Sequence, residues 1–123
     1  MSIPSPMRQG ALLLCIMMLS GYLWGESRVP QNAVWIDVRS PQEFDEGHLE
    51  GAVLIPYDAI AAGVLGRQIP KDTPLYLYCA VGGRAEVAKQ ELKTLGYRSV
   101  TNVGGLENAR HLQRDNNNLA TGQ

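Results

Sequence analysis

Short apolar segments rich in β-branched and aromatic residues alternate along the chain with segments whose apolar residues recur every three or four positions. The first pattern predicts buried strands, and the second predicts helices that pack through one face. Four strands are predicted, at residues 34–38, 52–55, 75–78 and 99–103. Four helices are predicted, at residues 41–46, 57–65, 84–95 and 106–114, and Ser40 and Glu43 are predicted to form a capping box at the start of the first one. This alternation predicts an α/β domain with a small, mostly parallel central sheet flanked by helices.

The two ends of the chain differ in composition from the predicted domain, which covers residues 29–114. Residues 11–24 form an almost unbroken apolar run after Arg8. A helix of this length reaches about 21 Å, which is less than the roughly 30 Å hydrocarbon core of a membrane. Residues 1–25 are therefore predicted to be a secretory signal peptide, which implies a periplasmic or otherwise exported protein. The alternatives are an uncleaved membrane anchor or a misassigned start, and the polar residues 115–123 are predicted to be a flexible tail.

The charge balance and the cysteine count exclude several classes of function. Lysine and arginine total 11 and aspartate and glutamate total 12, so the net charge of −1 offers no basic excess for nucleic acid or an anionic membrane. Cys15 and Cys79 are spaced unlike zinc ligands relative to His48 and His111, so no metal site is predicted. Without residues 1–25, Cys79 is a lone thiol that is either buried or functional. The small, nearly neutral chain is expected to be a monomer.

Candidate chemistry lies where the predicted strands end, because ligand sites in open α/β sheets lie beyond the carboxyl ends of the strands. Cys79 follows such a strand, and a helix is predicted to begin near Arg84. Gly82 and Gly83 let the short loop curl so that its N–H groups point inward, and Arg84 adds a positive charge. Both effects favour the nucleophilic thiolate and would bind thiosulfate, sulfite or a persulfide. We therefore predict that Cys79 is the nucleophile and that the substrate-binding loop consists of Ala80, Val81, Gly82, Gly83 and Arg84.

Supporting roles are predicted for polar residues near the end of the first strand. Asp37 ends a buried strand, where an unpaired carboxylate is costly, so we expect it to pair with Arg39 or to accept loop N–H groups. Arg39 is interpreted as an ion-pair residue or as a rim residue that contacts substrate. His48 lies on a connecting segment and is interpreted as a hydrogen-bonded structural residue rather than a base for Cys79. Residues 104–105 are expected to form a tight turn.

Several motifs in register resemble those of the rhodanese family, in particular its small, single-domain periplasmic members. The resemblance extends over about residues 32–110. The matching residues are 35–39, 43–44, 47–52 and 55–56, then 75–79 with Gly82 and Arg84, and finally 95–97 and 103–106.

The resemblance implies a three-layer rhodanese-like fold and a thiosulfate sulfurtransferase that needs no metal or organic cofactor. The thiolate of Cys79 would take the outer sulfur of thiosulfate or a related persulfide donor and hold it as a persulfide. Cyanide or a thiol acceptor would then remove that sulfur. The loop from Cys79 through Arg84 has six residues, one fewer than in relatives that hydrolyse phosphate monoesters. This length favours sulfur transfer over phosphatase or arsenate reductase activity.

A different class of function also remains open at this stage. The chain would then be an exported sulfur carrier or a protein-docking module with little turnover. Ala80 leaves room for this alternative, because family members that prefer thiosulfate often carry a basic residue at that position.

Overall fold

A four-stranded sheet forms the centre of the computed structural model, which describes residues 28–122. Each neighbouring pair of strands is parallel, and the strand order is β2-β1-β3-β4. The carboxyl ends of all four strands therefore lie at the same edge of the sheet. The strands are β1 Val34–Asp37, β2 Val53–Leu54, β3 Leu75–Cys79 and β4 Val100–Gly105.

Helices cover both faces of this sheet. On one face, α2 and α3 bury their apolar side chains against the strands, and on the other face α4 contributes Ala109 and Leu106 to a second cluster. The predicted α/β fold with three layers is therefore confirmed, with a sheet that is wholly parallel. The helices are α1 Pro41–Glu46, α2 Ile60–Gly66, α3 Gly83–Thr94 and α4 Leu106–Thr121, and a 3-10 turn at Tyr57–Ala59 precedes α2.

The central strand β3 and helix α3 supply much of the larger core. Leu75 and Leu77 are fully buried on β3, as are Ala85, Ala88 and Leu92 on α3. Their spacing of three and four along α3 places them on one face of the helix, as the sequence predicts. This packing fixes the start of α3 against the end of β3, and the loop between them is the predicted reactive segment.

The last helix is longer than the sequence predicts. It was expected to end near Arg114 and to be followed by a flexible tail over residues 115–123, but α4 continues through Thr121. The side chain of Asn116 accepts a hydrogen bond of 3.1 Å from the backbone N–H of Val29. This contact with the start of the domain stabilises helical residues whose intrinsic preference for helix is weak, and local composition alone does not reveal it.

Gly104 and Gly105 are the last residues of β4 and not the tight turn that the sequence predicts. Leu77 pairs with Asn102, whereas Tyr78 pairs with Gly104, so the register shifts by one residue between these pairs. Gly104 has a φ of +100°, a conformation that favours glycine. This irregularity places Gly105 directly opposite Cys79.

The predicted signal peptide or anchor, residues 1–25, lies outside the described residues. Within residues 28–122, no helix has the length and apolar character needed to cross a membrane. Export and membrane anchorage therefore stay predictions from the sequence.

Candidate active site

The loop after β3 turns sharply before α3 begins. Cys79 is the last residue of β3, and α3 starts at Gly83. Gly82 has a φ of +108°, whereas Gly83 already has a helical conformation without positive φ. Of the two glycines expected to bend the loop, only Gly82 needs the left-handed region. A Cβ at Gly82 would also come within 3.4 Å of the Cα of Gly104.

The Sγ atom of Cys79 lies inside the curl of this loop. The backbone N–H of Gly82 donates a hydrogen bond of 2.9 Å to Sγ, and Cys79 is only 1% exposed. Burial raises the pKa of the thiol. The backbone N–H groups of Ala85, Gly82, Val81 and Arg84 lower it by more than burial raises it, so the pKa lies below its ordinary value. The arrangement therefore favours the thiolate, which is the nucleophilic form.

Residues of β4 hold the loop in this shape. The amide nitrogen of Asn102 donates a hydrogen bond of 3.0 Å to the carbonyl of Gly82, and its amide oxygen accepts one of 3.0 Å from the N–H of Gly104. A Cβ at Gly105 would lie 2.5 Å from the carbonyl oxygen of Ala80, so only glycine permits this approach. The sequence analysis missed Asn102, although an asparagine within a predicted strand is a detectable signal.

Arg84 forms a two-pronged ion pair with Glu43 on α1. The Nη1 and Nη2 atoms of Arg84 lie 2.8 and 2.9 Å from the two carboxylate oxygens of Glu43. The predicted capping box is present, since Ser40 and Glu43 exchange hydrogen bonds at the start of α1. The bond from Arg84, together with the N–H of Ser40, lowers the pKa of Glu43 to about 2. The sequence analysis recognised Glu43 only as a cap and missed this pairing.

A buried polar cluster supports the neighbouring strand ends. The carboxylate of Asp37 accepts hydrogen bonds from the Nε and Nη2 atoms of Arg39 at 2.9 and 2.7 Å, and one of 2.7 Å from the Tyr78 hydroxyl. The Tyr78 hydroxyl accepts a bond from the N–H of Leu49, and Arg39 also donates to the carbonyl of Gly47. Burial raises the pKa of Tyr78 to about 12, so the phenol stays protonated.

The structure thus gives Asp37 the contacts that the sequence analysis expected. Arg39 is 8% exposed and pairs with Asp37, and it also forms part of the lining of a surface cleft. Its contact with substrate stays a prediction. The hydrogen bonds of Tyr78 could not be predicted from local sequence patterns, because they join residues that are distant along the chain.

His48 lies at the end of α1, next to Phe44. Its Nδ1 atom is 2.8 Å from the carbonyl oxygen of Phe44, and the two rings stack with centroids 3.6 Å apart. These contacts agree with a structural interpretation of His48.

Two surface clefts adjoin the loop from Cys79 through Arg84, which is called the reactive loop below. The first has a volume of about 330 Å³ and includes Arg39, Ser40, Asp58 and Arg84 in its lining. The second has a volume of about 440 Å³. Its lining residues are Ala80, Val81, Gly105, Leu106, Glu107 and Asn108.

Comparisons with known proteins agree with this fold. The sequence model of the rhodanese-like domain matches residues 24–112. Thiosulfate sulfurtransferase PspE of Escherichia coli is 34% identical over 73 residues, which cover 59% of this chain and 70% of that protein. The probable adenylyltransferase/sulfurtransferase MoeZ of Mycobacterium tuberculosis is 37% identical over 70 residues, covering 57% of this chain but only 18% of that protein. The solved structure of a rhodanese with anions from E. coli has a TM-score of 0.59 and 33% identity, covering 62% of this chain and 89% of that one.

Proposed function

The chain belongs to the rhodanese family, and on that basis we propose that it is a sulfurtransferase that carries sulfur as a persulfide on Cys79. Two of its relatives are named sulfurtransferases, which supports this class of activity. The donor is thiosulfate or a related persulfide, and the acceptor is cyanide or a thiol.

The proposal rests above all on the hydrogen bond of 2.9 Å from the N–H of Gly82 to Sγ of Cys79. The surrounding N–H groups favour the thiolate. In the first step, the thiolate attacks the outer sulfur of thiosulfate, the S–S bond of the donor breaks, and sulfite leaves with the electron pair. The negatively charged persulfide on Cys79 is stabilised by the N–H groups that the loop already directs inward. An acceptor thiolate or cyanide then attacks the outer sulfur and regenerates the Cys79 thiolate.

The size of the loop supports sulfur over phosphate as the transferred group. Six residues run from Cys79 through Arg84, and the N–H of Gly82 lies in direct contact with Sγ. Such a tight curl suits a single additional sulfur atom better than a tetrahedral phosphate with its four oxygens.

A second candidate function is that of an exported sulfur carrier, or of a docking module, that turns over slowly with small acceptors. Val81 favours this candidate, because its apolar side chain is 90% exposed at the tip of the loop. A docked partner would remove this apolar side chain from water, which favours association. Slow thiocyanate formation together with rapid loading of Cys79 would distinguish the carrier from the enzyme.

We further propose that the protein is exported and acts as a monomer. The apolar run at residues 11–24 supports export, either by a cleaved signal peptide or with a retained anchor. Fractionation of cells, with determination of the N-terminal residue, distinguishes these two forms. Recovery from the cytosol with Met1 intact would contradict both.

Formation of thiocyanate from thiosulfate and cyanide tests the enzyme function. We expect Cys79→Ser to abolish this activity, because a serine hydroxyl cannot form a persulfide. Cys15→Ser, assayed in the full-length protein that retains residues 1–25, is the matched control, since Cys15 is the other cysteine of the chain. It should keep the activity of the unaltered protein. Retention of full activity by Cys79→Ser would overturn the proposed function.

A further inference from the structure

The two arginines that line the first cleft are matched by carboxylates. Arg39 and Arg84 line the same cleft next to the reactive loop. Arg39 binds the carboxylate of Asp37, and Arg84 binds that of Glu43 with two contacts of 2.8 and 2.9 Å. Each guanidinium therefore has its charge offset by a partner that is already in place.

The other side of the loop is apolar or acidic. Ala80 and Val81 form the exposed part of the loop, and Leu106 and Glu107 lie across the second cleft. Among the described residues, the linings of these two clefts contain no lysine, and each arginine in them is paired with a carboxylate. A donor that lies in either cleft therefore meets no uncompensated cation there.

This charge distribution disfavours a doubly charged donor. Thiosulfate carries two negative charges and is repelled by the Cys79 thiolate that it has to approach. A positive charge on Arg84 would offset this repulsion only to the extent that Glu43 does not already neutralise it. Coulomb interactions over a few ångströms near a protein surface change rates several-fold per unit charge, and they weaken as salt is added. An organic persulfide in its protonated form, R–S–SH, has no such repulsion and offers an organic group that can lie against Ala80 and Val81.

We propose that Glu43 determines the charge selectivity of Cys79, and that by compensating Arg84 it favours an organic persulfide donor over thiosulfate. The choice of donor rests on the proposed sulfur transfer, whereas the charge selectivity of the thiolate does not. In the transfer step, the Cys79 thiolate attacks the outer sulfur of R–S–SH. The S–S bond of the donor breaks, and R–S⁻ leaves with the electron pair and takes up the proton of the transferred sulfur, so that R–SH and the Cys79 persulfide anion remain.

A substitution at residue 43 can separate this role from helix capping. Glu43 also accepts hydrogen bonds from the backbone N–H and hydroxyl of Ser40 through Oε1. Glu43→Gln retains a side-chain oxygen for these bonds while removing the charge that faces Arg84. Glu46→Gln is the matched control, because Glu46 lies on the same helix, is exposed, and bonds only weakly to Gln42 at 3.4 Å.

Alkylation of Cys79 measures the charge selectivity without any sulfur transfer. Iodoacetate and iodoacetamide differ by one negative charge, and the rates of both are followed by mass spectrometry of the Cys79 peptide. We expect Glu43→Gln to raise the ratio of the iodoacetate rate to the iodoacetamide rate by about five-fold at low salt, and by less at high salt. An unchanged ratio, or an equal rise in Glu46→Gln, would overturn the role of Glu43.

Single-turnover loading of Cys79 tests the class of donor. The two donors are thiosulfate and 2-hydroxyethyl hydropersulfide, whose organic group is uncharged. We expect the unaltered protein to load faster from the organic persulfide, and Glu43→Gln to shift the ratio of rates towards thiosulfate by about five-fold. Loading from both donors with no such shift would overturn this inference and leave the proposed function intact. If neither donor loads Cys79, the proposed function and the donor preference both fail, whereas altered alkylation would still support the charge selectivity.

Discussion

The hydroxyl of Tyr78 donates a hydrogen bond of 2.7 Å to Oδ2 of Asp37, with both side chains fully buried. This bond joins the end of β3 to the end of β1. The backbone N–H of Leu49 donates a hydrogen bond of 2.9 Å to the same hydroxyl, which also ties the segment before β2 to β3. Cys79 follows Tyr78 directly in the chain. The cluster therefore fixes the strand end from which the reactive loop departs.

Removal of the Tyr78 hydroxyl is expected to destabilise the fold without removing the nucleophile. Tyr78→Phe leaves the buried N–H of Leu49 without its acceptor and Asp37 with one donor fewer. We expect the free energy of unfolding in urea to fall by about 1 to 3 kcal/mol. Tyr76→Phe on the same strand is the control and should change it by less than about 0.5 kcal/mol. Loss of persulfide formation at unchanged stability would instead indicate a chemical role for the phenol.

A side chain at Gly105 is expected to displace the reactive loop. The Cβ of Gly105→Ala would lie 2.5 Å from the backbone oxygen of Ala80, so the loop has to move. We expect sulfur transfer to slow by about 10- to 100-fold, since small displacements of reacting groups have large effects on rate. Gly66→Ala, with open space around its added Cβ, is the control and should preserve the rate. Equal rates in both variants would show that the close approach at Gly105 has no functional effect.

The backbone N–H groups around Sγ predict a thiol that is more acidic than a free one. Although burial raises the pKa of Cys79, these N–H groups bring it below the ordinary value of a thiol. The rate of alkylation by iodoacetamide should therefore reach half its maximum at a lower pH than the rate of a free thiol does. Asn102→Ala frees the carbonyl of Gly82 and should move this midpoint upward, because the loop no longer holds its N–H groups on the sulfur. A midpoint at or above that of a free thiol in the unaltered protein would contradict the geometry.

The pairing of Glu43 with Arg84 predicts a contribution to stability that depends on pH. The bond from Arg84 lowers the pKa of Glu43 from 4.5 to about 2 in the folded protein. The stabilisation is therefore fully present above about pH 4.5 and is lost as the pH falls through about 2. At pH 7 the free energy of unfolding of the unaltered protein should exceed that of Glu43→Gln by about 0.5 to 1 kcal/mol, as is typical of partly exposed ion pairs. Urea unfolding at pH 7 and at pH 2 measures this difference, and a difference that grows in acid would contradict the assignment.

Local sequence patterns predicted those features that depend on neighbouring residues. The capping box of Ser40 and Glu43, the strand ending at Cys79 and the turn at Gly82 all follow from short-range signals. Hydrogen bonds such as that of Asn102 to Gly82 could not be predicted in this way. They depend on the order and register of the strands, which bring together residues far apart in the chain.

The same limit explains two further differences between prediction and structure. The pair of Arg84 with Glu43 joins residues 41 positions apart, so local patterns give no sign of it, and contact of Arg84 with the substrate stays a prediction. The extension of α4 through residues 115–121 depends on contacts with the beginning of the domain, including Val29. In both cases the outcome depends on a contact with a residue far away in the sequence, which local composition does not reveal.

The most direct test of the central claim is the mass of the Cys79 peptide after the protein is incubated with a sulfane sulfur donor. The donors are thiosulfate and an organic persulfide, and cyanide is then added to remove the transferred sulfur. The account predicts a gain of one sulfur atom on Cys79, absent from Cys79→Ser and reversed by cyanide. A correctly folded protein whose Cys79 gains no sulfur from either donor would contradict it.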